Sequence, residues 1–296
     1  MSLVVTVISP AGKSHEAGAM ARAALDRAGG KVEGSVPFDR PFAEDILVSG
    51  LDRAAARAAL EADARDFDVV VQPEGSPRVK RLLVADMDST IIGQECIDEL
   101  ADFAGRKVEI AAITEAAMRG ELDFGQALRA RVAALAGLSE EAIDRTLAER
   151  VRLNPGARTL VATMKAHGAR CVLVSGGFTR FTAPVAARAG FDRQVANRLV
   201  IADGRLSGEV AEPIVDSATK RETLLAECAA LGIGPEEALA VGDGANDIPM
   251  LEAAGLGVAF RAKPRAAAAA DAHIRHGDLS AILWAQGIPR ERWGEG

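Results

Sequence analysis

Tyrosine is absent from the 296 residues, and aromatic side chains make up only 4% of them. The missing tyrosine excludes no function by itself. Cysteine is scarce: Cys96, Cys171 and Cys228 are odd in number, widely spaced and each set in an apolar stretch. That pattern argues against a disulfide framework or a zinc set, and leads us to expect reduced core thiols in a cytoplasmic protein. Runs of lysine and arginine are also missing. With a net charge of −7 and a pI near 5.3, the chain offers no basic patch for nucleic acid. No apolar stretch approaches the length of a membrane-spanning helix, so no membrane partner is expected. The opening MSLVVTVISP lacks the basic start and long apolar run of an export signal. What is present is ordinary for a globular protein with a sizeable core: 49% hydrophobic and 26% charged residues. The length suits one large or two moderate domains.

The most informative stretch is RLLVADMDST, residues 81–90. A short apolar run, Leu82 to Ala85, ends in Asp86 and Asp88, and Ser89 and Thr90 follow at once. Such a run reads as a buried strand, and ligands in open α/β sheets sit beyond the carboxyl ends of strands. Two carboxylates there repel each other and lose hydration, and a nearby cation keeps them ionised. A solvated Asp-rich turn has the same local composition. A calcium loop also opens with Asp-x-Asp, but it fails on spacing. Counted from Asp86, the glycine required at position six is Ile91 and the glutamate required at position twelve is Ile97.

Residues 1–75 read as β-α-β-β-α-β: strands at Leu3–Ile8, Lys31–Pro37, Ala43–Val48 and Phe67–Val71, and helices at Glu16–Ala28 and Leu51–Ala64. That order predicts a ferredoxin-like α+β sandwich. The turn chemistry of Pro73 to Pro77 marks a domain boundary. After the Asp86 strand, a helical stretch runs from Glu95 to about Arg150. Glu95 falls in a first helical turn, where the helix dipole alone would favour it. Phe124, Leu128, Arg131 and Leu135 share one helical face, so Arg131 lies on an apolar stripe. It either snorkels to water or faces a pocket and binds a carboxylate.

Alternating helices and strands follow, the pattern of a parallel sheet. Cys171–Val174 is a buried strand ending in Ser175, Gly176 and Gly177 before a helix, which is a possible anion site. Asp203-Gly204 between two short runs predicts a hairpin. Ser217 suits an N-cap before a helix over 218–231. Lys220 then falls in the first turn, against the dipole, which a negative neighbour or simple exposure would explain. Ala238–Val241 is another buried strand, ending in GDGAND, residues 242–247. The third glycine of a dinucleotide fingerprint is missing, and Asp243 and Asp247 would repel a pyrophosphate. Two further acids at a second strand end point to a hard metal ion, most simply Mg²⁺. His273 and His276 lie beyond these elements and read as surface residues.

Taken together, DxDST at 86–90, Ser175, Lys220 and GDGAND at 242–247 resemble the four motifs of the haloacid dehalogenase-like phosphatases. The likeness covers about residues 80–285. It is nearest to the phosphoserine phosphatases, through DMDSTIIGQE, MRGELDF, LRARV, VSGGF, ANRLVIADGRLSGEV and VGDGANDIPM. The resemblance implies a Rossmann-like parallel core over 76–296, with a helical cap at about 95–150 inserted after the first motif. It implies Mg²⁺-dependent hydrolysis of O-phospho-L-serine through an aspartyl-phosphate, the last step of serine synthesis. By resemblance, Asp86 is the nucleophile and Asp88 the general acid and then base. Mg²⁺ is held by Asp86, Asp243 and the Asp88 carbonyl, with Asp247 in support. Ser175, Gly176, Gly177 and Lys220 would hold the phosphoryl group, with Asn246 close to it. Glu95 would bind the substrate ammonium, Arg131 its carboxylate, and Met118 and Phe124 would line the pocket. Residues 1–75 resemble ACT-like domains, which bind an amino acid or pair subunits, so a homodimer is possible. Two other readings stay open at this point. One is a phosphatase for a related ester such as phosphohomoserine or phosphothreonine. The other is an amino-acid-sensing protein with a vestigial catalytic half.

Overall fold

A computed structural model describes every residue except 1, 65, 120 and 296, and the side chain of Met118 also falls outside the description. The first part of the chain forms strands β1 (Leu3–Ile8), β2 (Lys31–Asp39), β3 (Ala43–Ser49) and β4 (Asp68–Pro73), with helices α1 (Ser14–Arg27) and α2 (Arg53–Asp63). The strands make a separate antiparallel sheet in the order β2-β3-β1-β4. Strand alternation divides its side chains between two layers. Leu3, Val5 and Val7 join Ile46, Val48, Val69 and Val71 against Leu25 of α1 and Leu60 of α2. Ile8, Ala43 and Val70 belong instead to the large core of the rest of the molecule.

The second sheet holds β5 (Leu82–Ala85), β6 (Arg170–Phe178), β7 (Arg193–Ala202), β8 (Arg205–Ala211), β9 (Ala238–Gly242), β10 (Leu256–Phe260) and β11 (Ala272–Ile274). Its order is β11-β10-β9-β5-β6-β7-β8. Every pairing is parallel except the β7–β8 hairpin. That hairpin turns at Asp203 and Gly204, both with positive φ (51° and 72°), as a two-residue type I′ turn requires. β5 pairs with β6 on one side and β9 on the other, so the strand order reverses at β5. A crevice opens beyond strand ends at such a reversal.

Between β5 and the crossover helix that leads into β6, the described residues form the helices α3 (Cys96–Phe103), α4 (Lys107–Met118), α5 (Phe124–Ala134) and α6 (Glu140–Glu149). α5 starts with a capping box, in which Asp123 accepts from Gln126 N and Gln126 returns the contact. Around the sheet lie α7 (Ala157–Ala166), α8 (Thr179–Ala189), α9 (Ser217–Leu231), α10 (Ile248–Ala253), α11 (Pro264–Ala269) and α12 (Ala281–Ala285). The N-cap of α9 is Asp216 rather than Ser217: its carboxylate accepts from Thr219 N at 2.9 Å. A carboxylate is a better acceptor for this job than a hydroxyl that also has a proton to place. The three cysteines are free and buried, and burial pushes the Cys171 thiol up to about 12.

Candidate active site

β5, β6 and β9 lie side by side, so their carboxyl ends bring three distant segments together. Asp86 follows β5 directly and is 5% exposed. Its Oδ1 accepts from Met87 N at 2.8 Å and pairs with Lys220 Nζ at 2.8 Å. Lys220 is fully buried, which excludes the solvent-facing reading of this lysine. Its ammonium also reaches Asp247 Oδ1 at 2.6 Å. The other oxygen of Asp247 accepts from Asp243 N at 3.1 Å and Gly244 N at 2.9 Å. Asp247 is thus saturated with donors and positions its neighbours. Gly242 makes room for it, since a Cβ there would stand 2.4 Å from Asp247 Cγ.

Oxygens of Asp86, Asp243 and Asp247 lie within 4.8 Å of one another. Three buried carboxylates meet one buried ammonium, with the exposed Lys263 Nζ 3.8 Å from Asp243 Oδ2. Burial and the Asp247 charge raise the pKa of Asp86, although Lys220 pulls it back. The same two causes push Asp243 up to about 6. Burial opposes the charge on Lys220, but Asp247 and Asp86 outweigh it and hold that pKa above the ordinary value. The all-oxygen donor set and the uncompensated negative charge fit a hard divalent cation. Thr90 Oγ1 donates to Asp243 Oδ1 at 3.3 Å.

Asp88 turns away from this cluster. Its carboxylate accepts from Cys96 N at 2.9 Å and Ser175 Oγ at 3.3 Å, and it is not part of the three-carboxylate group. Burial, then the Glu95 charge, raises its pKa to about 6. The turn that re-aims Asp88 passes through Ser89 at φ 54°, an uncommon conformation for a residue with a side chain. Ser89 Oγ donates to Glu95 Oε1 at 2.8 Å and so fixes that carboxylate at the start of α3.

Ser175, Gly176 and Gly177 lie within β6, where pairing to β7 slips between Ser175 and Phe178; α8 begins only at Thr179. The expected helix-start anion site is therefore a strand bulge. Gly177 N donates to Ser175 Oγ at 2.8 Å, so that N–H is already engaged. Asn197 holds the bulge: its Nδ2 donates to Gly176 O at 2.8 Å and to Val215 O at 3.2 Å.

Over these loops lies a cavity of about 260 Å³, lined by Asp86, Asp88, Glu95, Phe124, Arg131, the Ser175–Gly177 bulge, Asp243, Asn246 and Lys263, among others. Phe124 opens α5 and covers Gly176, where a Cβ would come within 3.1 Å of its ring. Arg131 is half-buried and makes no ion pair among the described residues; its Nε donates to Ala127 O at 3.3 Å. Burial lowers its pKa, against the pull of Asp98, Glu95 and Asp88. The predicted site residues thus converge, except Met118, whose side chain lies outside the described set. Asn197 and Lys263 carry none of the four motifs in the sequence. Thr90 had a signal, since it ends the DxDST run.

A parallel sheet that reverses order at β5, with an acidic cluster over its strand ends and a helical insert above, defines a class. Residues 83–252 match the family model of haloacid dehalogenase-like hydrolases, and the chain belongs to that family. Within it, the chain is 48% identical over 252 residues to a phosphoserine phosphatase of Streptomyces coelicolor, covering 84% of this chain and 61% of that protein. It is 51% identical over 208 residues to a phosphoserine phosphatase of Albidiferax ferrireducens, covering 69% of this chain and 88% of that one. A solved phospho-aspartyl intermediate analogue of phosphoserine phosphatase aligns with a TM-score of 0.65 at 40% identity, covering 69% of this chain and 98% of that one. The match to the Streptomyces protein spans about three fifths of that protein's length.

Proposed function

We propose that this chain hydrolyses O-phospho-L-serine to L-serine and phosphate through an aspartyl-phosphate on Asp86. The observation that carries the substrate is the pairing of Glu95 and unpaired Arg131 in one small cavity with Asp86. A zwitterionic amino-acid phosphate needs an anion for its ammonium and a fork of donors for its carboxylate. The phosphoserine phosphatases to which the chain is similar support the same reading.

Asp86 is held by one oxygen, Oδ1, on Lys220 and Met87 N, which leaves Oδ2 to attack phosphorus. The P–O bond to serine breaks as the Asp86–phosphorus bond forms. Asp88, whose raised pKa makes protonation easier than for an ordinary carboxylate, delivers a proton to the departing seryl oxygen. The carboxylate left behind then takes a proton from the water that cleaves the acyl-phosphate. Ser175 and the Gly176 backbone serve the phosphoryl oxygens, with Asn246 beside them; Lys220 serves them through its hold on Asp86. Mg²⁺, bound by Asp86, Asp243 and the Asp88 carbonyl and framed by Asp247, would supply charge compensation for the phosphoryl group.

Residues 1–75 read as an ACT-like unit and 76–296 as the catalytic domain. The strand order β2-β3-β1-β4, from a β-α-β-β-α-β chain, supports that division. Three free thiols support a reducing, cytoplasmic setting.

The test is phosphate release from O-phospho-L-serine with Mg²⁺ and with EDTA, for the wild type and Asp86→Asn. Turnover that needs Mg²⁺ and vanishes in the variant is the expected result. No turnover by the intact chain would remove the substrate assignment, and phosphothreonine and phosphohomoserine would be tried next.

A further inference from the structure

Among the described residues, Lys263 is the one cation on the cavity wall for which neither the metal set nor the zwitterion frame has a use. It sits just after β10 as the N-cap of α11, and its N–H donates to Asp243 O at 3.0 Å. Pro264 follows at the first helical position, which fixes the backbone there. The far end of α11 is held from α2, where Arg57 donates to Ala267 O at 2.8 Å and to Ala270 O. The root of Lys263 is therefore fixed at both ends of a short helix. Its side chain is 70% exposed, and Nζ lies 3.8 Å from Asp243 Oδ2.

A structural role explains this poorly. An exposed pair at that separation contributes little to stability, and a cation beside a metal ligand weakens the hold on the metal. The cavity itself supplies a reason. Asp86, Asp88, Glu95 and Asp243 face it with Arg131 as the only other cation on its wall among the described residues. An incoming dianion meets a negative mouth, and a single flexible ammonium over Asp243 offsets that field where the phosphoryl group must pass.

We infer that Lys263 is a substrate-drawing rim cation that brings the phosphoryl dianion in over Asp243 and, between substrates, rests on Asp243 in competition with the divalent ion. The inference builds on the phosphomonoesterase reading above, but its test can fail separately.

Lys263→Gln and Lys263→Arg are compared with the wild type. With phosphoserine at low ionic strength, the Gln variant should show a KM raised about fivefold and kcat within about twofold. The gap should close to under about twofold near 0.5 M salt, where the Debye length is only a few ångströms. The Arg variant should restore most of the loss. In a thermal-shift titration with Mg²⁺ alone, the Gln variant should half-saturate at about half the wild-type concentration. An unchanged KM at low salt, a loss independent of salt, or an unchanged Mg²⁺ titration would each overturn the inference. If the wild type does not turn over phosphoserine, the functional reading fails. Binding of inorganic phosphate by calorimetry, weaker in the Gln variant or not, then decides Lys263 together with the Mg²⁺ titration.

Discussion

Lys220 and Arg131 show two ways in which a cation enters a folded protein. Lys220 is buried between Asp86 and Asp247 and has no freedom left. Its awkward place in the first turn of α9 was the legible clue, because a buried ammonium there demands anions. Arg131 is half-buried and without an ion pair among the described residues. Its site on an apolar stripe left water and pocket equally open until the fold put Asp86 across from it. Arg131→Ala should raise KM for phosphoserine about ten- to hundredfold with a smaller change in kcat, the worth of a charge-assisted contact. A phosphate ester lacking the carboxylate should show no such difference, and equal losses on both esters would assign Arg131 to the fold instead. Asp247→Asn replaces an oxygen that faces the Lys220 ammonium or two backbone N–H groups. Breaking that buried pair should cost about 3–5 kcal/mol in urea unfolding. A midpoint equal to the wild type would show that the pair contributes nothing.

Among the elements, the largest correction concerns Ser175–Gly177. Strand, small hydroxyl residue and glycines before a helix read as a helix-start anion site. The chain instead stays in β6 through Phe178 and bulges, where Asn197 of β7, itself bonded to Val215, donates to Gly176 O. Local sequence cannot report a partner that arrives twenty residues later. The end of β9 was better marked. GDGAND needs small residues where Asp247 folds back onto the strand end, and Gly242 is where the contact is tightest. Gly242→Ala should lose about 1–3 kcal/mol by overpacking, seen as a lower urea midpoint with an unchanged slope. Full retention of stability would mean that Asp247 moves aside at no cost.

At the scale of the molecule, the two sheets are joined by buried acids. Asp68 accepts from the backbone N–H groups of Arg275, His276 and Gly277, and Asp39 accepts from Trp284 Nε1 and Arg290 N. Asp68→Ala leaves three donors without their acceptor and should lower thermal stability by about 3 kcal/mol; a change below 1 kcal/mol would show that water replaces the carboxylate. The acidic cluster sets a pH dependence. Asp88 and Asp243 are raised from 3.8 to about 6, so the folded chain binds these protons more tightly than the unfolded chain does. Without metal, stability should fall as pH climbs from about 4 to about 6 and level off above. If the cluster is the Mg²⁺ site proposed above, the ion binds its deprotonated form, and the gain in melting temperature should be larger at pH 7.5 than at pH 5. Scanning fluorimetry in EDTA and in Mg²⁺ at the two pH values checks this, and equal gains would count against the cluster as the metal site.

The sequence by itself marked the βαββαβ order of the first part, the hairpin at Asp203-Gly204, the motifs at Asp86, Asp88, Lys220, Asp243 and Asp247, and every strand but β11, whose His273 it set beyond the sheet although that residue pairs with Ala259 of β10. These are local matters: apolar runs, turn residues and charges stranded at strand ends are visible in a window of ten. Only the tertiary structure decided that Asp88 turns from the cluster while Asp247 is saturated, that Ser175–Gly177 is a bulge, and that Asn197 and Lys263 belong to the site. Each of those depends on which segments the parallel sheet sets side by side, and hydrogen bonds across such distances leave no periodic trace in the chain.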